Sequence, residues 1–569
     1  MTLSNEEISE IKTVFAIKLK KETGFKKAIK TVDGVEQFGG TTKASASGTT
    51  HSATEDEKVA FVDWINYSLG EDEDLKKSGV VPVSQDGDSL YTACHDGVLM
   101  SKLINTAVPN TIDERALNMG TNISIYKIHE NQTLSINSSK AIGCNVVNVG
   151  AQDLIDGVPH LCLGIIWQII RIGLLTKVNL NMCPGLVRLV EGDETLQDLM
   201  ALPAEQILLR WFNFQLKEAG SDKQVKNFSA DIKDSEGYTV LLKQIAPKEF
   251  GVDLTPLQES NLEKRAESML VNATKIDCRR FVKPKDVTNG NAKLNLAFVA
   301  NLFNLYPHLE IEEEEIVEIE EINETREEKT FRNWMNSLGV QYVGSIYQDL
   351  RDGQVLLELF DKVYPGLVDW KIVNKAPFTK MGGIMKKIEN DNYAVKLGQE
   401  KKFSLIGIDG KDIYDGHQMF TLAIVWQLMR AYTLEMLKNI AKTDQPMVDK
   451  DIIAWTNSKL AEYEKSSSIK NFKNSSISDS MAVIDLIDSI KPGSINYDHV
   501  IKNASSEKDE LTNAKYAISM ARKVGAGVYA LPEDIVEVNQ KMVMTVFACI
   551  MYASYADDRA KSAQDLRGD

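Results

Sequence analysis

Few side chains in this sequence are placed to do chemistry. Asp153/Asp156 ahead of Gly157 and Asp412/Asp415 ahead of Gly416 look like the paired carboxylates of an acid–base site. Each pair precedes a long apolar run, where a carboxylate serves orphan backbone N–H groups, so capping is favoured over catalysis. Gly525-Ala526-Gly527 is a lone Gly-x-Gly without a P-loop lysine or a dinucleotide context. The seven histidines form no Ser/His/Asp or Cys/His set, no HExxH and no zinc spacing. No catalytic residue, metal ligand or cofactor is assigned, and the chain reads as a non-enzyme.

The elements that carry these residues repeat. Trp-x-Asn occurs at Trp64, Trp211, Trp334 and Trp455, four of the seven tryptophans, each in the opening helix expected of its unit. Their indoles read as core and their asparagines as side chains that bond nearby backbone. A second marker, Asp96-Gly97 and Asp352-Gly353 before an apolar run, has counterparts at Ser235-Glu236-Gly237 and Ser478-Asp479-Ser480. The third marker is Asp-x-x-Asp-Gly, then an apolar helix ending in Trp167-Gln168 or Trp426-Gln427. The second and fourth units keep only its outline, at Asp286–Gly290 and Pro532–Ile535. Units one and three are alike, and units two and four form a looser class, as if an ordered pair had been duplicated. Helical spacing, Gly/Pro turns and little period-2 alternation predict an all-α chain of domains of about 110 residues.

Bulk properties agree with several soluble domains. The 569 residues are 43% hydrophobic and 26% charged. A net charge of −16 disfavours a general nucleic-acid role, and an acidic partner would have to meet local basic patches. Six scattered cysteines, none in CxxC, read as free thiols of a reducing compartment. Met1–Lys12 is polar and acidic, unlike a signal peptide. Leu161–Leu175, the most apolar run, is broken by Arg171 and falls short of the roughly 20 residues of a membrane span. A cytoplasmic protein without membrane insertion is expected.

Taken in order, the Trp-x-Asn helix, the Asp-Gly marker and the Asp-x-x-Asp-Gly helix ending in Trp-Gln resemble the calponin-homology domain. Units one and three are similar to the type that leads an actin-binding tandem, and units two and four to the type that follows. Four such domains joined by the acidic Glu310–Glu321 resemble the fimbrin, or plastin, family. Gly39–Thr42 with Gly48–Ser52, and Glu194–Met200 leading to Gln206–Trp211, are similar to that family's connecting segments. The expected organisation is an N-terminal remnant 1–54, domains at 55–178, 198–308, 324–436 and 446–557, a linker at 309–323 and a tail at 558–569.

The resemblance implies two actin-binding modules in one monomeric chain, and hence bundling of filaments in the actin cytoskeleton. Implied contact helices are Glu57–Leu69, Leu161–Ile172 and Glu205–Leu216 in the first module, and Glu327–Leu338, Thr421–Arg430 and Lys450–Leu460 in the second. Candidate contacts are Lys58, Asp63, Gln168, Arg171, Gln206, Arg210 and Lys217, then Lys329, Arg332, Gln427, Arg430 and Lys459. Cations beside apolar patches would steer toward an acidic filament and then anchor on it. The bland reading of each is a solvated helix face.

One departure from the family concerns calcium. Leu3–Lys18 resembles an EF-hand entering helix, but with Gly24 at the central turn the ligand positions fall on Leu19, Lys21, Thr23, Lys27 and Lys30. Calcium needs oxygen ligands there, so calcium-independent bundling is expected. The competing reading is a calponin-homology scaffold that binds cytoskeletal or signalling partners without bundling.

Overall fold

The computed structural model describes residues 37–38, 42–43, 49–120, 122–310, 324–378, 382–445 and 447–565. It forms two compact units, Met1–Phe61 and Val62–Asp569. In the first lies a two-residue antiparallel pair, Gln37–Phe38 with Thr42–Lys43. The rest of the described chain is helical, in four repeats with four principal helices each. These are α1 (Thr49–Leu69, which runs across the division between the units), α2 (Val98–Ala107), α3 (Ile125–Ala141) and α4 (Pro159–Leu175), then α5 (Ala204–Glu218), α6 (Glu236–Ile245), α7 (Leu262–Lys275) and α8 (Ala292–Leu305). The second half repeats them as α9 (Arg326–Ser337), α10 (Gln354–Val363), α11 (Gly383–Glu400) and α12 (Gln418–Ala441), then α13 (Asp449–Glu462), α14 (Met481–Ile490), α15 (Glu507–Lys523) and α16 (Gln540–Asp565). The acidic stretch 311–323 and the EF-hand-like segment lie outside the described residues.

The repeated residues are there because the backbone needs them. Each Trp-x-Asn asparagine donates to and accepts from one residue of the following loop, as a short strand pair would. Asn66 holds Val83, Asn213 holds Val225, Asn336 holds Val343 and Asn457 holds Ile469, all at 2.7–2.9 Å. One amide satisfies two main-chain groups that the helix–loop junction would otherwise orphan. The tryptophans divide: Trp211 and Trp334 are core residues, whereas Trp64 and Trp455 are only half-buried.

The second marker is a cap plus a left-handed residue. Asp96, Asp234, Asp352 and Asp479 each accept the backbone N–H two residues on, at 2.8–3.0 Å. The next residue has φ +76° at Gly97, +59° at Ser235, +73° at Gly353 and +66° at Ser480. The counterpart of Gly97 is therefore Ser235, not Gly237, which lies inside α6 against Phe212. At Gly353 a Cβ would come within 2.8 Å of the Asn390 carbonyl carbon, because α11 crosses there. A third device left no motif in the sequence. Asn131, Asn390 and Asn513 each clip the Asp of that cap to a second loop through three hydrogen bonds.

The Asp-x-x-Asp-Gly carboxylates are caps. Asp153, Asp286, Asp412 and Asp534 accept the backbone N–H three residues earlier, at 2.8–3.0 Å. Asp156 and Asp415 are exposed, at the C-terminal ends of the same short helices.

Candidate binding surface and the junctions around it

Most of the candidate residues are engaged within the chain. Lys58 was expected to face outward but is buried, its Nζ 2.7 Å from Glu55. Asp63 is exposed and accepts from Gln85. Gln168 and Gln427 are framework residues. Gln168 accepts from the N–H of Asn145 at 2.7 Å and donates to its carbonyl at 3.0 Å, and Gln427 holds Ser404 in the same way at 2.5 and 3.0 Å. Those loops follow α3 and α11, so the Trp-Gln ending uses Gln to fasten each domain's last principal helix to the loop beside it.

The arginines are paired. Arg210 grips Glu194 with both terminal nitrogens, and Arg332 grips Glu324 at 2.5 and 2.8 Å. Arg171 on α4 pairs with Glu205 on α5, and Arg430 on α12 pairs with Asp449 on α13 at 2.6 Å. Both ion pairs join the last helix of a leading domain to the first helix of its follower. Burial works against the Arg171 charge, but Glu205 and Tyr342 more than offset it and raise its pKa. Lys459 pairs with Glu462 at 3.0 Å. Gln206 and Lys217 are exposed, and Lys329 is half-exposed.

The paired domains share a second clasp. Lys293 of the second domain lies 5.6 Å from the Trp167 ring centre, and Lys541 of the fourth lies 5.8 Å from that of Trp426. The Trp of Trp-Gln thus receives a cation from the following domain. The first pair adds Phe281 stacked on Trp64 at 4.9 Å and Arg280 4.0 Å over Tyr67. The second adds Arg326–Glu537 at 2.5 Å, Lys541–Glu327 at 2.6 Å and Ser337–Tyr529 at 2.6 Å.

The two pairs also meet each other. Arg171 lies 4.9 Å over the ring of Tyr342, which also faces Arg332. Asn333 on α9 donates to the carbonyl of Ala141 at the end of α3. Candidate side chains of both halves therefore converge on one internal junction. A larger junction joins α3 and the loop before it to α15. Arg522 donates to Thr111 O at 2.9 Å, Lys523 to Ala116 O at 2.8 Å, and Arg115 to His499 O and Thr512 O at 2.8 and 2.9 Å. Glu130 receives Lys491 at 2.6 Å and lies 3.8 Å from Lys523. Burial disfavours the Glu130 charge, but hydrogen bonds from Lys491 and Asn118 outweigh it and lower its pKa. Sequence reading missed this junction because its partners lie hundreds of residues apart and its cations bind carbonyls, which no motif marks.

The described residues contain no group of three or more His, Cys, Asp or Glu suited to a metal ion, and no helix long and apolar enough to cross a membrane.

Repeated four-helix units of this kind define a protein built of calponin-homology domains. The calponin homology (CH) domain family matches residues 55–174, 202–308, 325–434 and 446–556. Fimbrin of Dictyostelium discoideum is 54% identical over 92% of this chain and 85% of its own length. Plastin-3 of Bos taurus is 52% identical over 93% and 84%, and so is plastin-3 of Homo sapiens. The solved actin-crosslinking core of Schizosaccharomyces pombe fimbrin superposes with a TM-score of 0.74 at 42% identity, covering 88% of this chain and 99% of that one. The chain belongs to the fimbrin/plastin family.

Proposed function

We propose that this chain is an actin-filament crosslinker with two filament-binding modules, residues 55–308 and 325–556, acting as a monomer in the cytoplasmic actin cytoskeleton. The reading is carried by the duplicated domain clasp, Arg171–Glu205 with Lys293–Trp167 and Arg430–Asp449 with Lys541–Trp426. It makes two equivalent modules in one chain, and the matching solved structure is an actin-crosslinking core. Two tethered modules gain avidity when both engage, without dimerisation. No chemistry is involved, and the chain is read as a binding protein and not an enzyme.

The test is sedimentation with filamentous actin. Crosslinking brings filaments down at low speed together with the chain. A chain that pellets only at high speed binds without crosslinking and supports the scaffold reading. A chain that stays in the supernatant at both speeds sinks the crosslinker reading and leaves only a scaffold for partners other than actin. Bundling is also independent of calcium, since Leu19, Lys21, Thr23, Lys27 and Lys30 offer no carboxylate ligand. Equal low-speed pellets in calcium and in chelator are the expected result.

Among the candidate side chains, Lys217 is the cation left exposed on the first module, while Arg171 and Arg210 are held in ion pairs. Lys217→Glu is expected to weaken filament affinity several-fold, with a shallower salt dependence and an unchanged melting temperature. Unchanged affinity in a co-sedimentation titration would remove Lys217 from the contact surface.

A further inference from the structure

The third domain buries a carboxyl group that none of the packing described above uses. Asp391 lies on α11 directly after the clip residue Asn390. It is fully buried, and neither carboxylate oxygen has a hydrogen-bond partner. No other carboxylate among the described residues combines such burial with such isolation.

The repeats show what this position holds elsewhere. The residue after the clip is Gln132 in the first domain, and its Nε2 donates to the carbonyls of Cys94 and His95 at 2.6 and 3.0 Å. In the fourth domain it is Ala514, fully buried. In the second domain Arg265 replaces the Asn, bonding Asp234 O at 3.2 Å, and the next residue is the fully buried Ala266. The position thus takes a methyl group or a hydrogen-bond donor. An ionised aspartate is neither, because it only accepts, and stripping its hydration costs several kcal/mol when nothing replaces it.

We propose that Asp391 is a neutral carboxylic acid in the folded protein, standing where the first domain has an amide, and that its ionisation at alkaline pH loosens the crossing of α10 and α11. The third domain, and with it the second half of the chain, is then the base-sensitive part of the molecule.

The surrounding charges fit this assignment. α10 enters beside Asp352, which opposes a second negative charge. Lys387, one turn earlier on α11, favours one. The short helix Gly410–Tyr414 packed against α11 brings Asp409, Lys411 and Asp412, whose charges lie toward solvent. Burial first and Asp352 second outweigh Lys387 and push the carboxyl up to about 9. The folded-state value lies above the unfolded one. The folded protein therefore keeps a proton that the unfolded chain has lost, and the stabilisation is complete in acid. It falls as pH rises from about 4 toward about 9, by up to tenfold in the folding equilibrium per pH unit.

Hydrogen exchange of the full chain at pH 6.5, 7.5 and 8.5, corrected for intrinsic exchange rates, tests this. In the unaltered chain, protection of peptides spanning α10 and α11 is expected to fall by up to tenfold per pH unit. Peptides spanning α2 and α3 should show no such loss. Asp391→Gln supplies the side chain that the first domain has at Gln132, and Asp391→Ala the one that the fourth has at Ala514. In both variants the α10–α11 slope should vanish. The idea is overturned by equal slopes in all three chains. A flat profile in the unaltered chain would overturn it too.

Discussion

Replacing Glu130 by lysine is expected to free the first domain from the fourth. Glu130 is the carboxylate that answers Lys491 and Lys523 at this junction, and its side chain is only 22% exposed. The variant sets a third ammonium beside two others, one of which, Lys523, is already buried. Leaving a buried cation unmatched costs about 3 kcal/mol. The side-chain donations of Arg115, Arg522 and Lys523 to backbone carbonyls then have to hold the contact without the Glu130 carboxylate. Small-angle scattering should report a larger radius of gyration for Glu130→Lys, shrinking again when Lys491→Glu restores the pair in reverse. An unchanged radius in the single variant would mean that the carbonyl contacts alone hold the two domains. If separation also exposes α9, the same variant should crosslink filaments at lower protein concentration.

The second large effect is internal to a domain. Asn336→Ala removes both hydrogen bonds to Val343, which is fully buried. An N–H and a C=O are then left dry and unpaired, at about 3 kcal/mol together. For a domain of this size that lowers the melting temperature of the third domain by roughly 10–20 °C. Gln427→Ala removes a similar pair of bonds, but to the exposed Ser404, whose main chain can turn to water. It should cost less than about 1 kcal/mol. Calorimetry on the two variants separates the cases. Equal shifts would show that burial at Val343 contributes nothing.

Trp-x-Asn, Asp-Gly and Asp-x-x-Asp-Gly were legible in the sequence because each meets a local backbone demand: a junction to bridge, a left-handed residue to place, an N-terminus to cap. Such demands recur wherever the fold does. The register of the second marker in the second domain was misread because Gly237 looked like the essential glycine. In fact Ser235 takes the left-handed position, with Asp234 as its cap. Asn131, Asn390 and Asn513 escaped notice since a polar residue on a polar helix carries no signal of its own. The contact surface was the least legible part. Lys58 and Arg171 stand out in sequence as charges, but whether a cation is free depends on partners such as Glu205 and Tyr342, which only the folded chain brings near. Trp64 illustrates the same limit: its helix was evident, yet it serves as a stacking platform for Phe281 and not as a core centre.

The segment that leaves the second domain is pinned before the acidic stretch begins. Trp211 and Gln215 hold the carbonyls of Pro307 and His308, and a side chain at Gly185 would strike Leu309. On the far side, Arg332 holds Glu324 to α9. The covalent connection left between these anchors is the chain from Leu309 to Glu324, which cannot exceed about 50 Å. If the internal junctions were broken, as Glu130→Lys is expected to do at one of them, that length would set the largest separation of the two halves. On the crosslinker reading proposed above, it would limit how far apart two filaments held by one molecule can lie, and load on one module would reach the other through Pro307 and Arg332.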